Sequence, residues 1–257
     1  MRRLFLSLTY LIFFGISAIL LGLFLYSPLP ALAASLASPE IRFAILLSLG
    51  TSVISTVICT AFAIPAAYAL ARYQFPGKRI ATLALTLPLT LPPLVAGIAL
   101  LLFFGTTPWG RALEDAGFGV IFTPLGIIVA EVFVNIPYMI RILRSAFAAV
   151  NPRYEYVAKT LGCTDAGAFL QVTLPMVRSG LLAGTVITWS KSMGEFGAVL
   201  MVAGATPMRT ETLPIALYLN ISTGDLNLAV AAATILILIS IVTLCVVEFV
   251  DRGVHVY

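Results

Sequence analysis

Six long apolar runs constrain the fold of this chain more than any other feature of its sequence. A helix that crosses the hydrocarbon core of a bilayer needs about 20 consecutive apolar residues, and each run reaches that length. A mean hydropathy of +1.06, with only 10% charged residues, is far from the composition of a soluble domain. The sequence therefore predicts an all-α protein, a polytopic transmembrane helical bundle of about six spans. The runs are Leu4–Leu25, Ile41–Ala71, Leu83–Phe104, Phe122–Ile142, Leu181–Ala203 and Leu228–Phe249.

The distribution of basic residues predicts the orientation of these spans. An even number of spans places both termini on the same side of the membrane. If that side is the cytoplasm, eleven basic residues face it, whereas Arg42, Arg111 and Arg209 face outward and Lys191 lies within a span. The positive-inside rule thus predicts a multi-pass protein of the plasma (inner) membrane with both termini cytoplasmic. The eleven are Arg2, Arg3, Arg72, Lys78, Arg79, Arg141, Arg144, Arg153, Lys159, Arg178 and Arg252.

The chain is predicted to divide near residue 40. Residues 1–40 are expected to form a first transmembrane helix and an external segment, and residues 41–257 the transmembrane core. The basic residues, the apolar run and the small residues at 31–33 also fit a cleaved secretory signal. Signal cores span roughly 7–15 residues, which is shorter than this run, so a retained helix is favoured. Cleavage would leave five spans and the same cytoplasmic loop.

A polar interruption at residues 151–179 separates two apolar runs and is predicted to lie in the cytoplasm. Asn151 is expected to cap a helix whose first position is Pro152, with Glu155 in its electropositive first turn. Gly162 stands where a helix commonly ends on a glycine. An amphipathic helix in an aqueous loop indicates a docking surface for a partner. Its apolar stripe, at i, i+3, i+4 and i+7, consists of Tyr154, Val157, Ala158 and Leu161.

A second short helix is predicted after Gly162, within the same interruption. Thr164 and Asp165 are both residues that favour the first position of a helix, so we expect them to cap it. Pro175 is expected to stop it, because proline removes a backbone donor and clashes with the preceding turn.

Few ionisable residues lie inside the apolar runs, and those that do are candidates for a transport pathway. Glu131 and Asn135 are expected to make an interhelical polar contact. Lys191 and Glu195 would form an internal ion pair on an unbroken helix, or a gate if the flanking glycines interrupt it. A lysine among hydroxyl groups suits an anion. The candidate pathway residues are Thr188, Ser190, Lys191, Ser192, Gly194, Glu195 and Gly197.

Three prolines, Pro88, Pro92 and Pro93, fall at the start of the third apolar run. Proline at membrane depth frees backbone groups that neighbouring helices or water must satisfy. One interpretation is a kink that serves packing only. The other is a bend that lines or reshapes a cavity.

The sequence carries no signature of chemistry within the chain itself. His255 is the only histidine and the three cysteines form no C-x-x-C pair, so no metal site or resident cofactor is predicted. The net charge of +4 follows from topology and does not indicate nucleic acid. The energy for uphill work must then come from an ion gradient or from another subunit. An ion-coupled carrier would need more intramembrane acids and repeats, and a membrane enzyme would need a nucleophile or a metal set.

Two pieces of the polar interruption resemble the EAA loop of ABC importer permeases. Residues 155–162 read EYVAKTLG, and VTLP follows at 172–175 after nine residues. The family pattern is E-A-A, three residues, glycine, nine residues and I-x-L-P, so the spacing from Gly162 to Pro175 agrees. Tyr156 and Val157 stand where the family has Glu and Ala. The resemblance implies that these residues contact an ATPase: Tyr154, Glu155, Val157, Ala158, Leu161, Gly162, Leu174 and Pro175.

Four other segments resemble the molybdate and sulfate branch of that family. They read FPGK at 75–78, LPLTLPP at 87–93, MGEFGA at 193–198 and RTETLP at 209–214. The last two are most similar to molybdate permeases. The resemblance implies a MetI-like permease fold and import of a tetrahedral oxyanion, molybdate first, with tungstate or sulfate as alternatives. It also implies a homodimer in the lipid bilayer, an external substrate-binding protein, and two cytoplasmic ATPase subunits that carry ATP and Mg.

Overall fold

A computed structural model describes residues 1–26 and 29–252 of the chain. Residues 27 and 28 of the predicted external segment, and His255, lie outside the described residues. The helices are, in chain order, α1 (Arg2–Tyr26), α2 (Leu29–Ala37), α3 (Pro39–Arg72), α4 (Lys78–Thr86), α5 (Pro93–Thr106), α6 (Pro108–Asp115), α7 (Pro124–Ala149), α8 (Arg153–Thr160), α9 (Asp165–Ala168), α10 (Leu174–Met176), α11 (Arg178–Met193), α12 (Gly197–Ala203), α13 (Leu213–Thr223) and α14 (Leu226–Arg252).

Four single helices, α1, α3, α7 and α14, are long and apolar enough to cross a membrane. Two bent pairs of helices raise the number of candidate spans to six. The predicted all-α transmembrane bundle is therefore confirmed, but two of its spans are broken rather than straight.

Helix α3 is the longest element and holds the bundle together. It runs 34 residues through Pro65, which amounts to about 51 Å and exceeds a hydrocarbon core of about 30 Å. Ser38 caps its first turn by accepting a hydrogen bond from the backbone N–H of Ile41. Its far end, at Arg72, therefore reaches beyond the apolar layer to the polar interruption at residues 151–179.

The predicted span over Leu83–Phe104 is sharply bent near its start, where the sequence places three prolines. Helix α4 and the 3-10 turn Leu87–Leu89 meet α5 at an angle of 111°. The break coincides with Pro92, which is extended (φ −56°, ψ 135°), and with Pro93 at the first position of α5. Because proline cannot continue the hydrogen-bond ladder, the chain ends one helix and starts another here.

The predicted apolar run Leu181–Ala203 is interrupted, which is one of the two alternatives that its sequence left open. Helix α11 ends at Met193, and α12 begins at Gly197 after a three-residue break. The carboxylate of Glu195 accepts a hydrogen bond from the backbone N–H of Ala198 at 3.1 Å, which satisfies a donor in the first turn of α12. The two glycines that flank Glu195 in sequence thus mark a real interruption of the helix.

Pro175 does not stop the second short helix, contrary to expectation. A π turn over Phe169–Thr173 follows α9, and α10 carries the helical path past Pro175 to Met176. The widened turn lies just before Pro175, where the proline ring would otherwise meet the carbonyl one turn earlier. The chain then bends by 71° into α11.

Three apolar clusters form the core. One joins α5, α7 and α12 around Ile127 and Val202. A second joins α3 and α7 around Leu143 and Phe147, next to the polar interruption. The third joins α3, α13 and α14 around Ile41. Helices α3 and α7 thus carry contacts from one end of the bundle to the other.

Candidate functional site

The first helix of the polar interruption, α8, has the caps that the sequence predicts. The side-chain oxygen of Asn151 accepts a hydrogen bond from the backbone N–H of Arg153 at 3.0 Å, and the helix starts there, one residue later than expected. Gly162 has a φ of +95°. The N–H of Gly162 bonds to the carbonyl of Lys159, and that of Cys163 to the carbonyl of Ala158. This pair of bonds is a Schellman motif, which confirms the predicted C-terminal glycine.

The second helix packs against the first to form an elbow, which we define as residues 151–177. The hydroxyl of Thr164 accepts a hydrogen bond from the backbone N–H of Gly167 at 3.0 Å, as its predicted cap role requires. Lys159 and Asp165 form an exposed ion pair between the two helices. Hydrogen bonding to Asp165 raises the pKa of Lys159 above its ordinary value. The elbow is therefore an ordered unit with its own internal contacts.

One face of α8 points away from the rest of the molecule. Tyr154, Tyr156 and Val157 are each more than half exposed, and Leu161 is 81% exposed. Ala158, which was predicted to belong to this stripe, is only 8% exposed and faces inward. We define the exposed face as Tyr154, Tyr156, Val157 and Leu161. It differs from the predicted stripe in two residues, because Ala158 is lost and Tyr156 is gained.

Glu155 lies on the inward face of α8 and ties the elbow to the bundle. Its carboxylate accepts hydrogen bonds from the hydroxyls of Tyr68 and Thr173, each at 2.8 Å, and from Nε of Arg72 at 3.0 Å. Arg72 also donates to the carbonyl of Val150 at 2.9 Å. The resulting Glu155 clamp joins the end of α3, the end of α7, α8 and the π turn.

The charge on Glu155 is stabilised by this setting. Burial acts to raise the pKa of Glu155, but hydrogen bonds from Thr173 and Tyr68 and the charge of Arg72 outweigh it, so the pKa lies below its ordinary value. Tyr68 extends the clamp into the core, since its ring packs edge-on against Phe147 and Phe169. The elbow is thus held by both charge and aromatic packing.

Sequence reasoning did not find the partners of Glu155. Tyr68, Arg72 and Thr173 lie 87, 83 and 18 residues away from it. The one available signal was Arg72, a basic residue at the end of a long apolar helix. It was used only to predict the orientation of the spans. The other predicted elbow residues differ in exposure: Leu174 is half-buried against the second core cluster, and Pro175 is exposed.

The predicted pathway residues fall into two groups. Thr188, Ser192 and Gly197 are buried in helix contacts, whereas Lys191 and Gly194 are exposed and Ser190 is half-buried. The oxygen of Ser192 accepts hydrogen bonds from the Asn135 amide at 3.1 Å and from the hydroxyl of Ser55 at 3.2 Å. This contact joins α3, α7 and α11 in the middle of the bundle.

Glu131 completes this polar contact. The hydroxyl of Thr51 donates to one oxygen of Glu131 at 3.1 Å, which links α3 to α7. The other Glu131 oxygen and the side-chain oxygen of Asn135 are buried without a protein hydrogen-bond partner. The predicted interhelical polar contact of Glu131 and Asn135 is confirmed, and it reaches two neighbouring helices.

Lys191 and Glu195 form no direct ion pair in the described part of the chain. The ammonium group of Lys191 lies 4.0 Å from the centre of the Tyr138 ring, a cation–π arrangement. Glu195 lies past the end of α11 and caps α12 instead. The unbroken helix that would pair the two charges does not exist, so the ion-pair interpretation fails on geometry.

Gly197 brings the start of α12 against the start of α5. A Cβ on Gly197 would lie 2.9 Å from Cβ of Pro93, and one on Gly97 would lie 2.9 Å from the Cα of Ala198. Glycine at both positions therefore lets α5 and α12 cross in close contact. The bend at Pro92–Pro93 and the break at Gly194–Gly197 are parts of one junction.

Comparison with known proteins identifies the class that this fold and elbow define. Residues 60–256 match the family described as "Binding-protein-dependent transport system inner membrane component". The chain belongs to this family, the membrane-embedded permeases of ABC importers.

Particular relatives place the chain in the molybdate and sulfate branch. It is 38% identical over 214 residues to the molybdenum transport system permease protein ModB of Mycobacterium tuberculosis, covering 82% of this chain and 80% of that protein. It is 36% identical to the sulfate permease protein CysW of Synechocystis, over 81% and 76% of the two chains. CysT of Escherichia coli is 31% identical over 90% and 88%.

Solved structures share the fold at low sequence identity. A bacterial alginate ABC transporter chain superposes with a TM-score of 0.74 at 17% identity, covering 96% of this chain and 91% of that one. A chain of the MetNI methionine transporter gives 0.60 at 16% identity, over 83% and 99%. The MetI-like fold is thus confirmed.

Proposed function

We propose that this chain is the permease subunit of an ATP-driven importer of a tetrahedral oxyanion, with molybdate as the first candidate cargo. Two copies would form the pathway, two cytoplasmic ATPase subunits would drive it, and an external binding protein would deliver the anion. The observation that carries the proposal is the elbow, whose exposed apolar face is backed by the Glu155 clamp.

The elbow has the properties of a mechanical coupling element. An exposed apolar helix face fits a surface groove of a partner. A movement of the partner would reach α3 through Arg72 and α11 through Thr173 and the bend at Val177, because these contacts are short and buried. Rigid-body movement of helices is a common way in which such a signal reaches a distant site. Gly162, Leu174 and Pro175 are proposed to keep the exposed face in position.

The junction of α5 and α12, between the bend at Pro92–Pro93 and the break at Gly194–Gly197, is the proposed gate. Interrupted helices in membranes persist where backbone lines a cavity or is buried in protein. Lys191, exposed and one turn from the break at Gly194, is the cation best placed to meet an oxyanion. A pathway must release its cargo, so weak binding is expected there and selectivity would rest with the binding protein.

The proposed orientation places the elbow and both termini in the cytoplasm of a cell whose inner membrane holds the chain. ATP and Mg would then be bound by the ATPase subunits, and this chain would need no cofactor of its own. The excess of basic residues on the elbow side supports this orientation.

The test is uptake by proteoliposomes that contain this chain, its ATPase and the external binding protein. We expect ATP to drive accumulation of radiolabelled molybdate, with tungstate and sulfate compared as competitors at matched concentration. Sulfate accumulation in preference to molybdate would replace the cargo and keep the class. Uptake that persists without ATP and collapses with the ion gradient would overturn the proposal in favour of a secondary carrier.

A further inference from the structure

A cationic groove lies at the bend between α3 and α4, on the elbow side of the bundle. Its volume is about 730 Å³, and Lys78, Arg79 and Arg144 line it. None of the described residues that line it is acidic. In that part of the chain neither Arg79 nor Arg144 forms an ion pair, and Lys78 donates to the backbone carbonyl of Tyr73. The groove therefore holds positive charge that the protein itself does not neutralise.

The start of α4 adds backbone donors to this charge. Gly77 precedes the helix with a φ of +78°, and it supplies no side chain to cap the first turn. The first N–H groups of a helix have no partner within the helix, and the helix dipole makes that end electropositive. A phosphate group at a helix N-terminus is stabilised by both effects. The N–H of Lys78 donates to the carbonyl of Phe75, so the donors left for a ligand at this edge of the groove are those of the next two residues, Arg79 and Ile80, which both line it.

The other wall of the groove is apolar and open. Ile80 is 73% exposed and Leu83 is 64% exposed, and both line the groove. Leu87 continues the same exposed face one turn further on. Helix α4 meets α5 at 111° and does not continue its direction, and an exposed apolar face beside basic residues is typical of a helix that lies at a membrane surface. A free inorganic oxyanion gains nothing from apolar contacts, whereas the acyl chain of a lipid is stabilised by them.

We propose that this groove binds an anionic phospholipid. The phosphate would lie among Lys78, Arg79, Arg144 and the start of α4, and an acyl chain would lie along Ile80 and Leu83. Basic pockets between helices on the cytoplasmic side bind anionic headgroups for the same reasons. The lipid would hold α4, and through it the bend at Pro92–Pro93, in a fixed position at the membrane surface. This inference relies on the proposed function only for the leaflet, which is the cytoplasmic one.

The experiment compares lipid retention by the purified transporter complex in nanodiscs of phosphatidylcholine with and without phosphatidylglycerol. Bound lipid is counted by native mass spectrometry for the wild type, for the double variant R79Q/R144Q and for R141Q. Arg141 lies on the same helix as Arg144, is exposed and does not line the groove, so R141Q controls for the loss of a positive charge outside the groove. Each basic residue at an anionic surface contributes about fivefold to affinity, so R79Q/R144Q, which removes two, should retain roughly 25-fold less phosphatidylglycerol. R141Q should retain it like the wild type.

Two further measurements separate the possible outcomes. Recovery of the ATPase with each variant shows that the fold is intact; loss of the ATPase from the wild type would contradict the proposed function and leave the lipid count unaffected. Inorganic phosphate and molybdate are titrated into nanodiscs that contain phosphatidylglycerol. Equal retention of phosphatidylglycerol by wild type and R79Q/R144Q would overturn the proposal. Displacement of the lipid by either free anion at micromolar concentration would instead assign the groove to a free oxyanion and overturn the lipid assignment.

Discussion

At the scale of single residues, Glu155 has a different place from the one that its motif suggests. The EAA resemblance predicts that it contacts an ATPase, but Glu155 is only 6% exposed, and its carboxylate accepts hydrogen bonds from Tyr68 and Arg72 of α3 and from Thr173 of the elbow. The residue that is exposed at the neighbouring family position is Tyr156. We infer that an aromatic ring meets the partner here, while the acid supports the helix from behind.

Replacing Glu155 with glutamine should weaken the link between elbow and bundle. The variant keeps the size of the side chain but removes the charge opposite Arg72, and hydrogen bonds to charged groups contribute about 2 kcal/mol. We expect a lower melting temperature of the purified complex and lower ATP-driven uptake at unchanged ATPase recovery. The control is D165N, which removes an exposed ion pair that solvent and salt screen. An equal effect of both variants would contradict the clamp.

The pH dependence of stability is a second, independent test of the contact between Glu155 and Arg72. Because the folded pKa of Glu155 is lowered, its contribution is fully present above the ordinary value of 4.5 and is lost as the pH falls through the folded pKa. The difference in melting temperature between wild type and E155Q should therefore be largest near neutral pH and shrink under acid conditions. A difference in melting temperature that grows as the pH falls would show that the pKa of Glu155 is not lowered in the folded protein.

Gly162 tests whether the exposed face depends on the turn that ends α8. Its φ of +95° is unfavourable for a Cβ, although open space surrounds it. The strain is therefore in the backbone alone, and G162V should cost about 1–2 kcal/mol and reduce recovery of the ATPase. G162N should recover more, since asparagine tolerates this conformation better. Equal recovery with both variants would argue against the left-handed turn.

At the scale of helices, the sequence predicts where the chain breaks but not how the pieces meet. Pro88, Pro92 and Pro93 mark the first break, and Gly194 and Gly197 mark the second, so both were visible as local signals. Their contact was not, because Gly97 and Gly197 lie a hundred residues apart and nothing local relates them. The same limit applies to α8. Its caps were predicted correctly, whereas the partners of Glu155 on α3 were missed.

The junction of α5 and α12 should be sensitive to the addition of a single methyl group. G197A places a Cβ 2.9 Å from Cβ of Pro93 and 3.1 Å from the backbone nitrogen of Leu94, and α5 and α12 must then separate. We expect lower uptake with normal ATPase recovery, since the elbow is remote from this contact. G50A on α3, where a Cβ meets open space, serves as the control and should transport normally. Normal uptake by G197A would contradict the proposed gate.

At the scale of the whole molecule, α3 relates the elbow to the polar contact in the bundle. Arg72 at one end holds Glu155, Thr51 and Ser55 in the middle contact Glu131 and Ser192, and Ser48 accepts from the backbone of Leu213 at 2.8 Å. Composition alone was enough to predict a polytopic bundle, because apolar runs of this length have few alternatives. The cargo is the feature that neither the pathway residues nor the fold determines, since one exposed lysine does not discriminate among tetrahedral anions.

The central claim is that the exposed face of the elbow docks on an ATPase, and site-directed cross-linking tests it most directly. In a background where Cys163 is serine, L161C places a thiol at the most exposed position of that face. D225C, in the loop between α13 and α14, places one at an exposed site away from the elbow. A short bifunctional reagent should join L161C to the ATPase subunit in the intact complex and leave D225C unlinked. An intact complex in which L161C forms no cross-link to the ATPase would contradict the account.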